Sequence, residues 1–130
     1  MRSIYISGPL RGKTSYHTEM NIRAARDDAE VLWKLGFAVL CPHLNTIGMV
    51  GMLENEYHFI DADIVLMDGL DAVSMMHSWQ TSEGAVVEHK HALKTNMDIF
   101  YRTAHDWHDL DGKRVSNHDM LQYAYGPASL

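Results

Sequence analysis

Polar residues bracket an apolar run in Arg2–Gly8 (RSIYISG), where β-branched and aromatic residues alternate before Gly8-Pro9, and this pattern predicts a first strand ending at a turn. From Thr14 to Leu35 there is no Pro or Gly. Ile22, Ala25, Ala29, Leu32 and Trp33 recur there at helical spacing, and Gly36 stands where a helix C-terminal glycine belongs. Phe37–Pro42 (FAVLCP) is a short apolar run between Gly and Pro, which predicts a buried strand. The glycine-bearing stretch HLNTIGMVGM reads as a loop, followed by a helix from about Leu53 to Leu70 that ends near Gly69. Asp71–His77 is the third expected strand and SWQTSEG a loop. Ser82 is placed as an N-cap before a helix over Gly84–Leu93, and NMDIFY is the fourth strand.

Strands and helices alternating at these lengths predict a Rossmann-like or flavodoxin-like α/β fold. Its parallel sheet has four to five strands, with helices on both faces. Residues 1–102 carry this alternation. Residues 103–130 form a polar tail rich in His, Asp and Trp, with one short helix near Ser116–Tyr125, belonging to the same domain or to a dimer interface. In open parallel sheets ligands bind beyond the carboxyl ends of the strands. That rule gathers the Ser7–Thr14 turn, the loop after Pro42 and Ser78–Gly84 onto one rim, with residues 43–56 expected to wall a pocket there.

Composition narrows the partners. The 130-residue chain is 46% hydrophobic and 22% charged, ordinary for one globular domain, and its formal charge of −6 argues against nucleic-acid binding. No apolar run approaches the ~18 residues of a membrane span. The N-terminal stretch lacks a small-residue cleavage site, and a lone cysteine, Cys41, fits a reducing cytoplasm. A small anionic ligand stays compatible with net negative charge, because a few cations and helix-terminal amides suffice for one phosphate.

Candidate chemistry lies in three segments. ISGPLRGKTS (Ile6–Ser15) resembles a triphosphate loop, but only three residues separate Gly8 from Gly12 where that loop has four. Gly8 and Gly12 would let backbone approach a ligand and Arg11 could fork onto phosphate oxygens, with Lys13 beside it; the competing reading is a plain exposed turn. In WQTSEGAVVEHKHA, a helix capped by Ser82 offers free amides, and Gly84 and Glu88 share a face four residues apart; the competing reading is a solvent-facing glutamate. In HFIDADIVLMDGLDAV, Asp63 flanks the buried side of its helix, where it could face Glu88, while Asp61 and Asp68 read as a solvated acidic face. The nine histidines lack the spacing of a zinc site, so no metal or cofactor is expected.

Taken in order, IYISGPLRG, DIVLMDGLD and GLDAVSMMHSWQTSEGAVVEHKHA resemble the nucleoside 2-deoxyribosyltransferase superfamily. They look most like the 2′-deoxynucleoside 5′-monophosphate N-glycosidases and their small phage and bacterial relatives. The resemblance implies that residues 1–102 are a catalytic domain in which Glu88 is the nucleophile, Asp63 the second carboxylate and Tyr5 an aromatic partner of sugar or nucleophile. It further implies a substrate-binding set of Ser7, Gly8, Arg11, Gly12, Ser82 and Gly84. The expected activity is hydrolysis of the N-glycosidic bond of a (deoxy)nucleoside 5′-monophosphate by a homodimer or higher homo-oligomer. Base exchange on free deoxynucleosides, or nucleotide binding without turnover, are the alternatives. Trp79 after His77-Ser78 departs from the family pattern, as does the tail.

Overall fold

The computed structural model describes residues 1–49, 52–55 and 57–126. The expected pocket wall (residues 43–56) and the tail (residues 103–130) therefore lie partly outside the described residues. Four parallel strands form the centre: β1 (Ser3–Ser7), β2 (Ala38–Leu40), β3 (Ala72–Met75) and β4 (Asp98–Arg102). They are ordered β2-β1-β3-β4, so the chain steps out from β1 in one direction and from β3 in the other. Between strands run α1 (Ser15–Lys34), a short α2 (Pro42–Asn45), α3 (Tyr57–Met67) and α4 (Glu83–Lys94).

Strand parity sorts the core into two layers. Ile4, Ile6, Ala72 and Phe100 point to one face and pack on Ala25, Ala29 and Leu32 of α1. Tyr5, Val73, Met75 and Ile99 point to the other, under Met67 of α3 and Ala85 and Ala92 of α4.

Local signals set the element ends. The Thr14 side chain accepts the His17 N–H at the start of α1, and Ser82 accepts from Ala85 N–H at the start of α4. Helix α3 begins later than the apolar pattern suggests. The Asn55 carboxamide oxygen accepts the Tyr57 N–H at 3.1 Å, a local bond that hydropathy does not reveal. Gly36 holds φ +101 directly beneath the Tyr125 ring, where a side chain would collide.

The region after Arg102 holds more than the expected short helix. β5 (Trp107–His108) and β6 (Arg114–Val115) add an antiparallel hairpin to β4, making six strands in all. α5 (Asn117–Tyr125) then starts on a capping box of Ser116 and Asp119. Each hairpin strand is two residues long, too short for alternation to register. What anchors them is tertiary: fully buried Trp107 donates its indole N–H to Ser74 Oγ at 3.1 Å. Arg102 lies over the same indole and reaches Asp28 Oδ1 at 3.2 Å. With Met120 and Ala124 of α5, Trp107 belongs to the α1 side of the core, so β5 and α5 pack on the same sheet.

Candidate active site

The strand order reverses between β1 and β3, and that switch point is where α/β sheets open a crevice for ligands. Tyr5 and Ser7 are two apart on β1 and therefore face the same side, towards α4. On α4, Ala85, Glu88 and Ala92 form the buried stripe. The two alanines let the helix lie close to the sheet, and the longer Glu88 side chain reaches the strand between them. Tyr5 Oη donates a short hydrogen bond to Glu88 Oε2, and Ser7 Oγ donates to Oε1 at 2.6 Å. Both carboxylate oxygens are thus held, and Glu88 is only 5% exposed. The competing picture of a solvent-facing glutamate does not describe it.

Burial pushes the Glu88 carboxyl up to about 7; the hydroxyls of Ser7 and Tyr5 pull the other way, and the nearby charge of Asp63 adds to the rise. Asp63, half-buried on α3, is raised to about 6 by desolvation. Burial, then the charges of Glu88 and Asp63, drive the Tyr5 phenol far above its ordinary value. It therefore stays protonated and acts as a donor. Two acids of elevated pKa thus come from separate helices, α3 and α4, and the charge of Asp63 is felt at Glu88 beside a fixed phenol. No cation is among the groups that set the Glu88 titration.

Ser7 differs from its expected place on the substrate side. It is fully buried and spends its hydroxyl on Glu88, as the parity it shares with Tyr5 dictates. Gly8 is required by packing: a Cβ there would sit 2.5 Å from Met76 Sδ and 2.6 Å from Met76 Cβ. A Cβ on Gly12 would strike His17 in the first turn of α1. The turn between these glycines is braced at three points. His43 Nε2 meets Pro9 O at 3.0 Å, Asn21 Nδ2 donates to Leu10 O at 3.1 Å, and the Gly12 N–H donates to Thr18 Oγ1 at 3.0 Å. Since a carbonyl only accepts, His43 carries its proton on Nε2; burial lowers its pKa and keeps the ring neutral. The His43 brace escapes sequence reading because it pairs residues 34 positions apart in the chain.

Arg11 and Lys13 are exposed at the lip of a cleft of about 600 Å³, bordered also by Thr14, Thr18 and Ile22. Glu19 joins that lining and is engaged with Arg23. Ser82 serves as the cap of α4, its oxygen taken by Ala85 N–H at 3.2 Å. Gly84 is different from Gly8: an added Cβ would make only ordinary contact with Ile60, at 3.5 Å, so packing does not demand glycine there. Ser7 leads straight into the Arg11 turn and is paired in register with Met75, which lines a second cleft beyond β3. Glu88, Asp63 and Tyr5 themselves line neither cleft. Among the described residues no cluster of three or more His, Cys, Asp or Glu could hold a metal ion, and no helix is long and apolar enough to cross a membrane.

Fold and site together define a doubly wound α/β protein with a hydroxyl-clamped carboxylate at its switch point. Residues 2–101 match the family described as Domain of unknown function (DUF4406), and the chain belongs to that family. No curated protein matches it.

Proposed function

We propose that this chain is an N-glycosidase that hydrolyses the base–sugar bond of a (2′-deoxy)nucleoside 5′-monophosphate. The observation that carries the reading is the Glu88 carboxylate, held by Tyr5 and Ser7 within the electrostatic reach of Asp63. Ionised Glu88 attacks the anomeric carbon as the glycosidic bond breaks. The bonding pair leaves with the base nitrogen, and Asp63 supplies the proton that nitrogen needs. Water then attacks the same carbon and gives a proton to the Asp63 carboxylate, and Glu88 departs. The sum consumes one water and releases free base and (deoxy)ribose 5-phosphate. Only these side chains and water take part.

The clamp matters because two O–H donors stabilise the anion in a site whose burial otherwise favours the neutral acid. Arg11 and Lys13, with the turn braced beneath them, are the phosphate-reading rim, and the amino end of α4 at Ser82 supports the same charge. That rim favours monophosphates over free nucleosides. An acceptor base replacing water would turn the same ester into base exchange. Contact between two copies in a homodimer is assigned to the exposed apolar residues of α3 and α4, Val65 and Leu66 with Val87. A cytoplasmic setting accords with the single buried thiol of Cys41.

Incubation with a panel of nucleosides and their 5′-monophosphates, with and without an added base, tests the proposal by the base released. Monophosphates should be cleaved without acceptor, and Glu88→Gln should abolish release while the variant still binds. Undiminished release by Glu88→Gln removes Glu88 from the mechanism.

A further inference from the structure

At the carboxyl ends of β3 and β4 lies a second cleft of about 400 Å³, lined by neither Glu88 nor Arg11. Its walls include Met75, Met76, Trp79, Gln80, Tyr101 and His108. The volume falls within the range of small-molecule sites, and such sites combine apolar and aromatic walls with a few polar groups.

The rings here are organised. Trp79 lies over His89, centroids 4.2 Å apart and planes 32° from parallel, while Tyr101 stacks on His108 at 4.9 Å and 17°. A 2.7 Å hydrogen bond between His89 Nε2 and Tyr101 Oη ties the two pairs together. None of these four rings has a part in the chemistry proposed for Glu88.

Charge decides what the cleft would take. Arg102 borders it, but Asp28 accepts from its Nε, the Asp106 carbonyl accepts from Nη1, and its guanidinium lies over Trp107. A cation so engaged is a poor phosphate ligand. The neutral polar groups are better placed to recognise a ligand. His108 Nδ1 donates to Asp109 O at 2.9 Å, and with the proton on Nδ1 the Nε2 atom of a neutral imidazole is an acceptor. Gln80, exposed in the 3-10 turn Trp79–Thr81, brings an amide with both donor and acceptor. Ser78 opens that turn at φ +65, a conformation that non-glycine residues seldom adopt.

We propose that this cleft binds an uncharged, planar nitrogen heterocycle of the nucleobase class, stacked against the Trp79 and Tyr101 walls and hydrogen-bonded by His108 Nε2 and Gln80. The site is separate from the Glu88 carboxylate and does not rest on the glycosidase reading.

Isothermal titration calorimetry with adenine, hypoxanthine, cytosine and thymine tests it on the wild type, Glu88→Gln, Trp79→Leu and Trp79→Phe. At least one base should bind the wild type and Glu88→Gln with equal affinity. Base stacking on an aromatic ring predicts roughly tenfold or greater weakening in Trp79→Leu, with Trp79→Phe restoring most of the loss and showing that the loop still folds. Absence of binding by all four bases at millimolar concentration overturns the proposal. So does binding that Trp79→Leu leaves intact, or binding lost in Glu88→Gln, which would put the base at the carboxylate instead. Base binding without any cleavage of monophosphates would defeat the glycosidase reading and leave this one standing.

Discussion

Replacing Ser7 with alanine isolates one half of the carboxylate clamp. The serine is fully buried, its hydroxyl donates to Glu88 Oε1 at 2.6 Å, and the change removes a single oxygen from a strand whose backbone pairs on both sides. A hydrogen bond to a charged group contributes about 1.5–3 kcal/mol. The protonated carboxyl retains part of that bond, so the difference between the two protonation states is about 1–1.5 kcal/mol, which corresponds to about one pH unit. Glu88, already raised to about 7, should therefore titrate about one pH unit higher in Ser7→Ala. The assay is carbon-13 NMR of protein labelled at the glutamate carboxyl, the Glu88 resonance being the one missing from Glu88→Gln. Since the anion is the attacking form, the acid limb of cleavage should move up by the same amount. A Glu88 pKa that stays put or falls in Ser7→Ala would refute the claim that this hydroxyl stabilises the anion.

Three further outcomes follow from the same geometry. Glu88 must be ionised and Asp63 protonated, with pKa values of about 7 and about 6, so near pH 6.5 only about 6% of molecules hold the productive combination. Cleavage should trace a bell centred there, and a rate that climbs to a plateau above pH 8 would contradict the assignment. The folded-state pKa of Glu88 lies above its ordinary value of 4.5, so the fold is penalised for holding the anion. That penalty is absent below 4.5, grows as pH rises towards 7 and then levels at about 3 kcal/mol. Urea unfolding should show Glu88→Gln gaining on the wild type between pH 5 and pH 8, and a stability difference that does not change with pH would argue against burial as the cause. Arg11→Ala should raise KM for monophosphates by roughly 10- to 100-fold and leave free nucleosides nearly unaffected, whereas equal losses for both would take phosphate recognition away from the turn.

Apart from the short α2 (Pro42–Asn45), which falls where a strand end and a loop were expected, the main strands and helices along residues 2–101 were legible because the signals were local. The β-branched and aromatic run within Ser3–Ser7, the Ser82 cap, the glycine after Leu35 and the Pro-free stretch of α1 each act within a few residues. The alternation of these elements in turn implied a parallel sheet with helices on both faces, and it placed the Ser7–Thr14 turn and the Ser82 loop on one rim. The candidate carboxylates were also visible as residue types at suggestive positions, Glu88 four residues after Gly84 and Asp63 on the flank of an apolar helix face.

What the chain pattern could not decide was which way those side chains would be spent. A glutamate on a helix is usually solvated; Glu88 is buried because Ala85 and Ala92 bring α4 down onto β1, a fact about packing between elements 81 residues apart at Ser7 and Glu88. Ser7 turned from expected substrate contact into carboxylate support for the same reason. Two-residue strands in the tail exist because Trp107 finds Ser74 and Arg102 finds Asp28, bonds that only the assembled sheet makes possible. Local order is written in short-range sterics and hydropathy. The titration of Glu88 and the bracing of the turn by His43 depend instead on desolvation and long-range contacts, which come into being only when the layers close.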